Sequence, residues 1–228
     1  MRTAAIITAG GSGKRMGRPK QFLDITGQPM LWRTAAVFEA CGIINEIIVV
    51  VNQEDVEKVK AFGLKKIKAV VAGGLKRQDS VANGLRAVAQ DMDLVAIHDG
   101  ARPFIEQEII ERAVKEAAVH GAVVVGVPVV DTIKMTNDEC RMSNGGAIIN
   151  KTVDRSRLWA AQTPQVFKKD IILRAYSAGS SNDVTDDAML VEKMGVKVKM
   201  VMGSYNNIKI TSPADLKLAR AILAKGEE

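Results

Sequence analysis

Thr3-Ala4-Ala5-Ile6-Ile7-Thr8-Ala9-Gly10-Gly11-Ser12-Gly13-Lys14-Arg15-Met16-Gly17-Arg18-Pro19-Lys20 joins a short apolar run to a glycine cluster and then to four cations in seven residues. The run Ala4–Thr8 has the length and composition of a buried strand. Glycines let a backbone approach a phosphate closely and turn several N–H groups toward it, and Lys14, Arg15, Arg18 and Lys20 suit a polyanion. The segment therefore reads as a strand that feeds a triphosphate cradle at Ala9, Gly10, Gly11, Ser12 and Gly13.

Comparable runs recur at Ile47–Val51, Lys68–Val71, Leu94–Ile97 and Ala122–Val127, separated by amphipathic stretches at Leu31–Ala40, Ser80–Ala89 and Ile109–His120. This alternation predicts an α/β fold with three layers, a mostly parallel twisted sheet carrying helices on both faces. Such sheets bind ligands at the carboxyl ends of their strands. Polar turns at Thr136-Asn137-Asp138 and Asn144-Gly145-Gly146 interrupt the rhythm, which predicts an inserted, protruding β-arm at about 131–162. Ser212-Pro213-Ala214-Asp215 supplies an N-cap, a proline at the first helical position and an acid in the first turn, ahead of a helix to about Ala224. The 228 residues fit a single domain spanning 1–228.

The composition, 47% hydrophobic and 25% charged, is that of a globular chain. Cys41 and Cys140 stand far apart with no Cys/His cluster, which argues against a disulfide framework or a structural zinc and fits a reducing cytoplasm. Met1 to Ile7 leads directly into the first strand, so neither a signal peptide nor a membrane span is expected. A net charge of +6 raises the question of nucleic acid, but the cations are dispersed and aromatics make up only 4%, too few for base stacking. Small anionic ligands fit better.

Two common phosphate motifs fail on this loop. A Walker A loop needs a glycine and a hydroxyl where Thr8 and Arg15 stand, and the dinucleotide motif starting at Gly11 meets Met16 in place of its last glycine. A lone glycine cluster is most often a plain turn with a solvated basic face. Here it is followed at once by Pro19-Lys20-Gln21-Phe22-Leu23 and Gly27-Gln28-Pro29-Met30-Leu31, a spacing that ordinary turns have no reason to produce.

These elements together resemble the nucleotidyltransferases that make activated sugars and polyols. Gly73-Gly74 with Arg77-Gln78-Asp79-Ser80-Val81, and His98-Asp99-Gly100-Ala101-Arg102-Pro103, narrow the resemblance to cytidylyltransferases. Asp131-Thr132-Ile133-Lys134, Thr152-Val153-Asp154-Arg155, Leu158-Trp159, Thr163-Pro164-Gln165, Thr185-Asp186 and Asn207-Ile208-Lys209-Ile210-Thr211 complete it. The set, spread over nearly the whole chain, is similar to the 2-C-methyl-D-erythritol 4-phosphate cytidylyltransferase family, with its Rossmann-like fold.

The resemblance implies transfer of a cytidylyl group from CTP to a small phosphorylated polyol, in non-mevalonate isoprenoid precursor synthesis, with Mg²⁺ bridging the phosphates. Arg15 and Lys20 would stabilise the reacting triphosphate, and Gly74 and Ser80 would read the cytosine. Asp99 would meet the polyol hydroxyls or the metal, Arg102 would lie nearby, and Thr132, Arg155, Thr185 and Lys209 would grip the polyol phosphate. His98 is expected to be a supporting or core histidine. The β-arm would reach across a homodimer, carrying Thr132 and Arg155 to the neighbour's site. Ribitol-5-phosphate cytidylyltransferase is the nearest alternative, and a non-catalytic nucleotide-binding module is another.

Overall fold

The computed structural model describes residues 1–11, 20–136, 147–178 and 184–224. Strand β1 (Thr3–Thr8) is followed by a short hairpin, β2 (Asp24–Ile25) and β3 (Gln28–Pro29), and helix α1 (Met30–Ala40). Then come β4 (Glu46–Val51), the short helix α2 (Val56–Lys60), β5 (Ile67–Ala72), α3 (Arg77–Ala87), β6 (Leu94–Asp99), α4 (Gln107–His120) and β7 (Ala122–Pro128). A separate antiparallel ribbon, β8 (Lys134–Thr136) and β9 (Ile149–Thr152), precedes β10 (Trp159–Lys168), α5 (Lys169–Ser177), α6 (Asp187–Lys193), β11 (Lys199–Met202) and α7 (Pro213–Ala224).

The central sheet has seven strands in the order β11-β7-β10-β6-β1-β4-β5, and only β10 runs against its neighbours. The chain steps outward from β1 through β4 to β5, then returns to place β6 on the other side of β1. This reversal leaves a crevice at the carboxyl ends of β1 and β6, where open α/β sheets take their ligands. Register puts Thr8 opposite Asp99, so the glycine turn and the Asp99 turn leave the sheet side by side.

Side chains alternate between the two faces of each strand. Ala5, Ile7, Ile47, Val49, Leu94 and Ala96 pack with α1 and α4 on one face, while Ala4, Ile6, Ile48, Val50, Val95 and Ile97 pack with α3, α5 and α6 on the other. Burial on both faces explains why these strands are almost uniformly apolar. The expected three-layer sheet is therefore present. A smaller cluster of Ile25, Met30, Ala101, Ile210 and Ala219 seats α7 beside the crevice. Its first turn is closed as its sequence predicts, with Ser212 N–H donating to Asp215 Oδ2 at 2.8 Å and Asp215 N–H to Ser212 Oγ at 3.3 Å.

Two of the boundaries that differ from the sequence expectation bear on the crevice. The helix expected at Ser80 starts at Arg77, because the Asp79 carboxylate accepts the Lys76 N–H at 3.0 Å and closes the first turn early. The segment expected to form an arm as far as about 162 rejoins the central sheet at Trp159, which pairs with Pro128. Polar Gln162 and Thr163 disguise this strand in the sequence, yet both are buried. The arm's expected turns at 137–138 and 144–146 lie outside the described residues.

Phe38 is fully buried under the sheet, and its ring centroid lies 4.9 Å from that of His98. Phe38→Ala should lower unfolding free energy by about 3–5 kcal/mol. Urea denaturation should show the loss as a lower midpoint with an unchanged slope.

Candidate active site

The crevice is a cleft of about 410 Å³ whose wall includes Gly10, Gly11, Lys20, Gly74, Asp99 and Lys209. Backbone bonds continue the parallel pairing past the strand ends and shape its floor: Ala9 N–H donates to Val50 O at 2.7 Å, Gly73 N–H to Val51 O at 2.7 Å and Gly100 N–H to Thr8 O at 2.9 Å.

The loop after β5 needs its two glycines because helix α3 presses on it. A Cβ at Gly73 would fall 2.8 Å from Ser80 Oγ, and one at Gly74 only 2.2 Å from Asp79 Cβ. That closeness lets Ser80 Oγ accept the Gly74 N–H at 3.1 Å while donating to Lys76 O at 3.2 Å. The hydroxyl hydrogen is thus committed, and the oxygen keeps one free lone pair as an acceptor at the cleft.

Asp99 is the centre of charge. Its Oδ2 lies 2.7 Å from Lys209 Nζ and 3.8 Å from Arg102 Nε, and its Oδ1 lies 3.6 Å from Arg77 Nε. Burial alone would raise its pKa, but Lys209, then Arg77 and Arg102, outweigh burial and pull it down to about 2. Arg77 also bonds the fully buried Asp187 at 2.8 Å, and this partner raises the Arg77 pKa despite desolvation. The burial of Arg102 pushes its own pKa down, against the pull of Asp99.

The turn that carries Asp99 is locked from below by His98. Its Nε2 lies 3.1 Å from Arg102 O, an acceptor only, so Nε2 carries the proton. Nδ1 is then bare and accepts the Thr163 hydroxyl at 3.0 Å, while Thr163 Oγ1 accepts the Asp99 N–H at 3.1 Å. This chain uses a neutral imidazole, and burial accordingly lowers the His98 pKa to about 4. Asn207 secures the other wall. Its Nδ2 donates to Gln162 Oε1 at 3.1 Å and Thr163 O at 3.0 Å, and its carbonyl accepts from Arg102 Nη1 at 2.7 Å.

Of the residues expected at a site, Ala9, Gly10, Gly11, Gly74, Ser80, Asp99, Lys20 and Lys209 line this cleft, and Arg102 joins it through Asp99. Lys20 Nζ bonds Ile210 O at 3.2 Å, so it sits beside the segment that carries Lys209. Ser12, Gly13 and Arg15 lie outside the described residues. Thr132, Arg155 and Thr185 are exposed and are not among the residues lining the cleft of this chain. The Arg155 guanidinium bonds Val130 O, and the Thr185 hydroxyl lies 3.9 Å from Met189 Sδ. His98 is the supporting histidine that its sequence context suggests.

Sequence reasoning gave no role to Arg77, Thr163, Gln165 or Asn207, although each stands within a stretch it singled out. The available signal was a polar Thr-Pro-Gln inside an otherwise strand-like run. Asp99 was also considered as a metal ligand, but the donor set does not fit a resident ion. Asp99 is the cleft's one carboxylate among the described residues, and its oxygens already face three cations.

Residues 3–225 match the family model for 2-C-methyl-D-erythritol 4-phosphate cytidylyltransferase (IspD). A protein of that name from Alkaliphilus oremlandii is 47% identical, covering 100% of this chain and 97% of its own. Another, from Syntrophus aciditrophicus, is 43% identical over 99% of this chain and 97% of its own. Among solved structures, 4-diphosphocytidyl-2C-methyl-D-erythritol synthase from Anaerococcus prevotii superposes with a TM-score of 0.85 at 33% identity, covering 98% of this chain and 96% of that one. The cytidylyltransferase of Thermus thermophilus gives 0.78 at 32% identity, covering 98% and 100%.

His98 has a folded pKa of about 4 against an ordinary 6.5, so the unfolded chain binds a proton that the folded chain refuses. Its contribution to stability is complete above pH 6.5 and is lost as pH falls toward 4. Urea midpoints of the parent should therefore drop across that window, and those of His98→Asn should drop less.

Proposed function

The chain belongs to the 2-C-methyl-D-erythritol 4-phosphate cytidylyltransferase family, and from that premise we propose how its residues divide the work. It is a nucleotidyltransferase that acts on 2-C-methyl-D-erythritol 4-phosphate in isoprenoid precursor synthesis. The observation that carries the residue-level reading is the meeting of Lys20, Lys209 and glycine backbone at the cleft formed by β1 and β6.

CTP is the nucleotide in this reading. Its triphosphate lies along Ala9, Gly10 and Gly11, continuing to Ser12, Gly13 and Arg15, with Lys20 against the phosphates. Gly74 and Ser80 face the base, where the spare lone pair of Ser80 suits the amino group of cytosine. Asp99 and Arg102 take the polyol, and Lys209 holds its phosphate together with Thr185 and, from a partner subunit, copies of Thr132 and Arg155. That last assignment requires a homodimer formed through the β8–β9 ribbon. Exposed Met135 and Ile149 on that ribbon, with Ile148 just before it, support it, since no core among the described residues covers them.

The attacking group is a phosphate monoester close to doubly charged at neutral pH, so no strong base is required. An oxygen of that phosphate bonds the α-phosphorus of CTP while the bridging oxygen departs with pyrophosphate. Electrostatics is the barrier: one like-charged pair at about 4 Å costs about 4 kcal/mol at an effective dielectric near 20. Lys20 and Lys209 offset this repulsion, and Lys20 also stabilises the leaving pyrophosphate. Mg²⁺ would supply further neutralisation of phosphate charge, and Asp99, the one carboxylate among the described cleft residues, would not be free to hold it because three cations already face it.

Pyrophosphate release from CTP should be rapid with methylerythritol phosphate and slow with ribitol 5-phosphate; the reverse preference would establish the ribitol enzyme, and no release with either would indicate a binding module. Lys20→Ala should lower kcat by about 100- to 1,000-fold with an unchanged unfolding curve. Mixed Lys20→Ala and Arg155→Ala subunits should recover part of the parental activity. Activity no greater than the sum of the two variants alone would remove the shared site.

A further inference from the structure

Beneath the cleft, a closed circuit of polar contacts ties Asp99 to three other elements. Asp99 is hydrogen-bonded at its backbone and ion-paired at its side chain: its N–H donates to Thr163 Oγ1 at 3.1 Å, and its Oδ1 lies 3.6 Å from Arg77 Nε. From Arg77 the path runs through Nη2 to Asp187 Oδ2 at 2.8 Å, at the start of α6. The other oxygen of Asp187 accepts the Tyr176 hydroxyl at 2.6 Å, so this carboxylate, with no solvent exposure, has a donor on each side. Gln165 then holds α6 to β10, its Oε1 accepting the N–H groups of Asp187 and Ala188 at 3.1 and 3.0 Å and its Nε2 donating to Asp186 Oδ2 at 2.7 Å. Since Gln165 and Thr163 lie two residues apart on β10, the path returns to where it began.

The two oxygens of Asp99 are shared unequally. Oδ2 serves Lys209 and Arg102, whereas Oδ1 has Arg77 as its cationic partner. Rotation of the carboxylate about its Cβ–Cγ bond would move Oδ2 away from Lys209 unless something held Oδ1. Arg77 can restrain it because its hydrogen bond to Asp187 fixes the guanidinium with Nε at ion-pair distance from Oδ1, and a lysine ammonium at the same place could not reach both carboxylates.

We propose that Arg77 is a positioning residue that fixes the rotation of the Asp99 carboxylate and thereby the placement of Lys209, with Asp187 and Tyr176 as its buried anchor. The proposal deepens the cytidylyl-transfer reading and rests on it. It makes the β10 segment Thr163-Pro164-Gln165 the common base of the Asp99 backbone and of the anchor for its side chain.

Steady-state pyrophosphate release by purified Arg77→Lys, Asp187→Asn and Tyr176→Phe tests this. Arg77→Lys keeps the charge but loses the bridge, so kcat/KM for the polyol phosphate should fall by about 10- to 100-fold while KM for CTP stays near the parental value. Asp187→Asn should fall similarly, Arg77→Lys/Asp187→Asn should be no worse than the poorer single variant, and Tyr176→Phe should show a smaller fall of the same kind. Tyr176→Phe loses one hydroxyl and serves as the deciding variant should the others not fold. Parental kinetics in Arg77→Lys, or in a folded Tyr176→Phe standing alone, would overturn the proposal, as would a rise in KM for CTP matching the fall in activity, which would make Arg77 a nucleotide contact. An inactive parent would instead overturn the cytidylyl-transfer reading and this proposal with it.

Discussion

A carboxylate buried beside cations is costly to place and costly to leave alone. Asp99 stands at the carboxyl end of β6 with only 11% of its side chain exposed, and Lys209, Arg77 and Arg102 converge on it from three directions. Water screens the half-exposed Lys209, and the loss of any one cation leaves two others, but a carboxylate this buried with no cation beside it would cost about 3–5 kcal/mol. The contacts therefore fix where the segment carrying Lys209, the first turn of α3 and the turn after β6 meet. The same cluster faces the cleft at the carboxyl ends of β1 and β6.

The sheet explains why this point lies where it does. Parallel strands deliver their ends to one edge, and the reversal of strand order around β1 opens that edge between the glycine turn and the Asp99 turn. The one reversed strand, β10, brings Thr163 and Gln165 up beside β6 from the opposite direction. Without it, His98 and Asp99 would lack the hydroxyl that locks their turn. Antiparallel pairing here thus belongs to the support of the site as much as to the sheet.

The cluster also explains why Asp99 is poorly suited to hold a resident metal ion. Nearby cations hold Asp99 ionised well below neutral pH, and glycine backbone and lysine side chains line the cleft beside it. Family membership supplies the substrate class.

Local chemistry made much of this legible in the sequence. Runs such as Ala4–Thr8 and Ile47–Val51 are apolar because both faces are covered, and Ser212 to Asp215 close a helix within four residues. Glycines at 10, 11 and 74, with Lys20, Asp99 and Lys209, carried enough motif to mark the cleft. What the sequence could not reveal were the long-range partners. Arg77 and Asp187 are 110 residues apart, and Thr163 and His98 are 65 apart. Neither periodicity nor local spacing encodes such pairs, because they exist only after strand order and register bring separate stretches together. Polar Gln162 and Thr163 likewise concealed β10, since a strand whose inward groups serve a site has no apolar pattern to announce it.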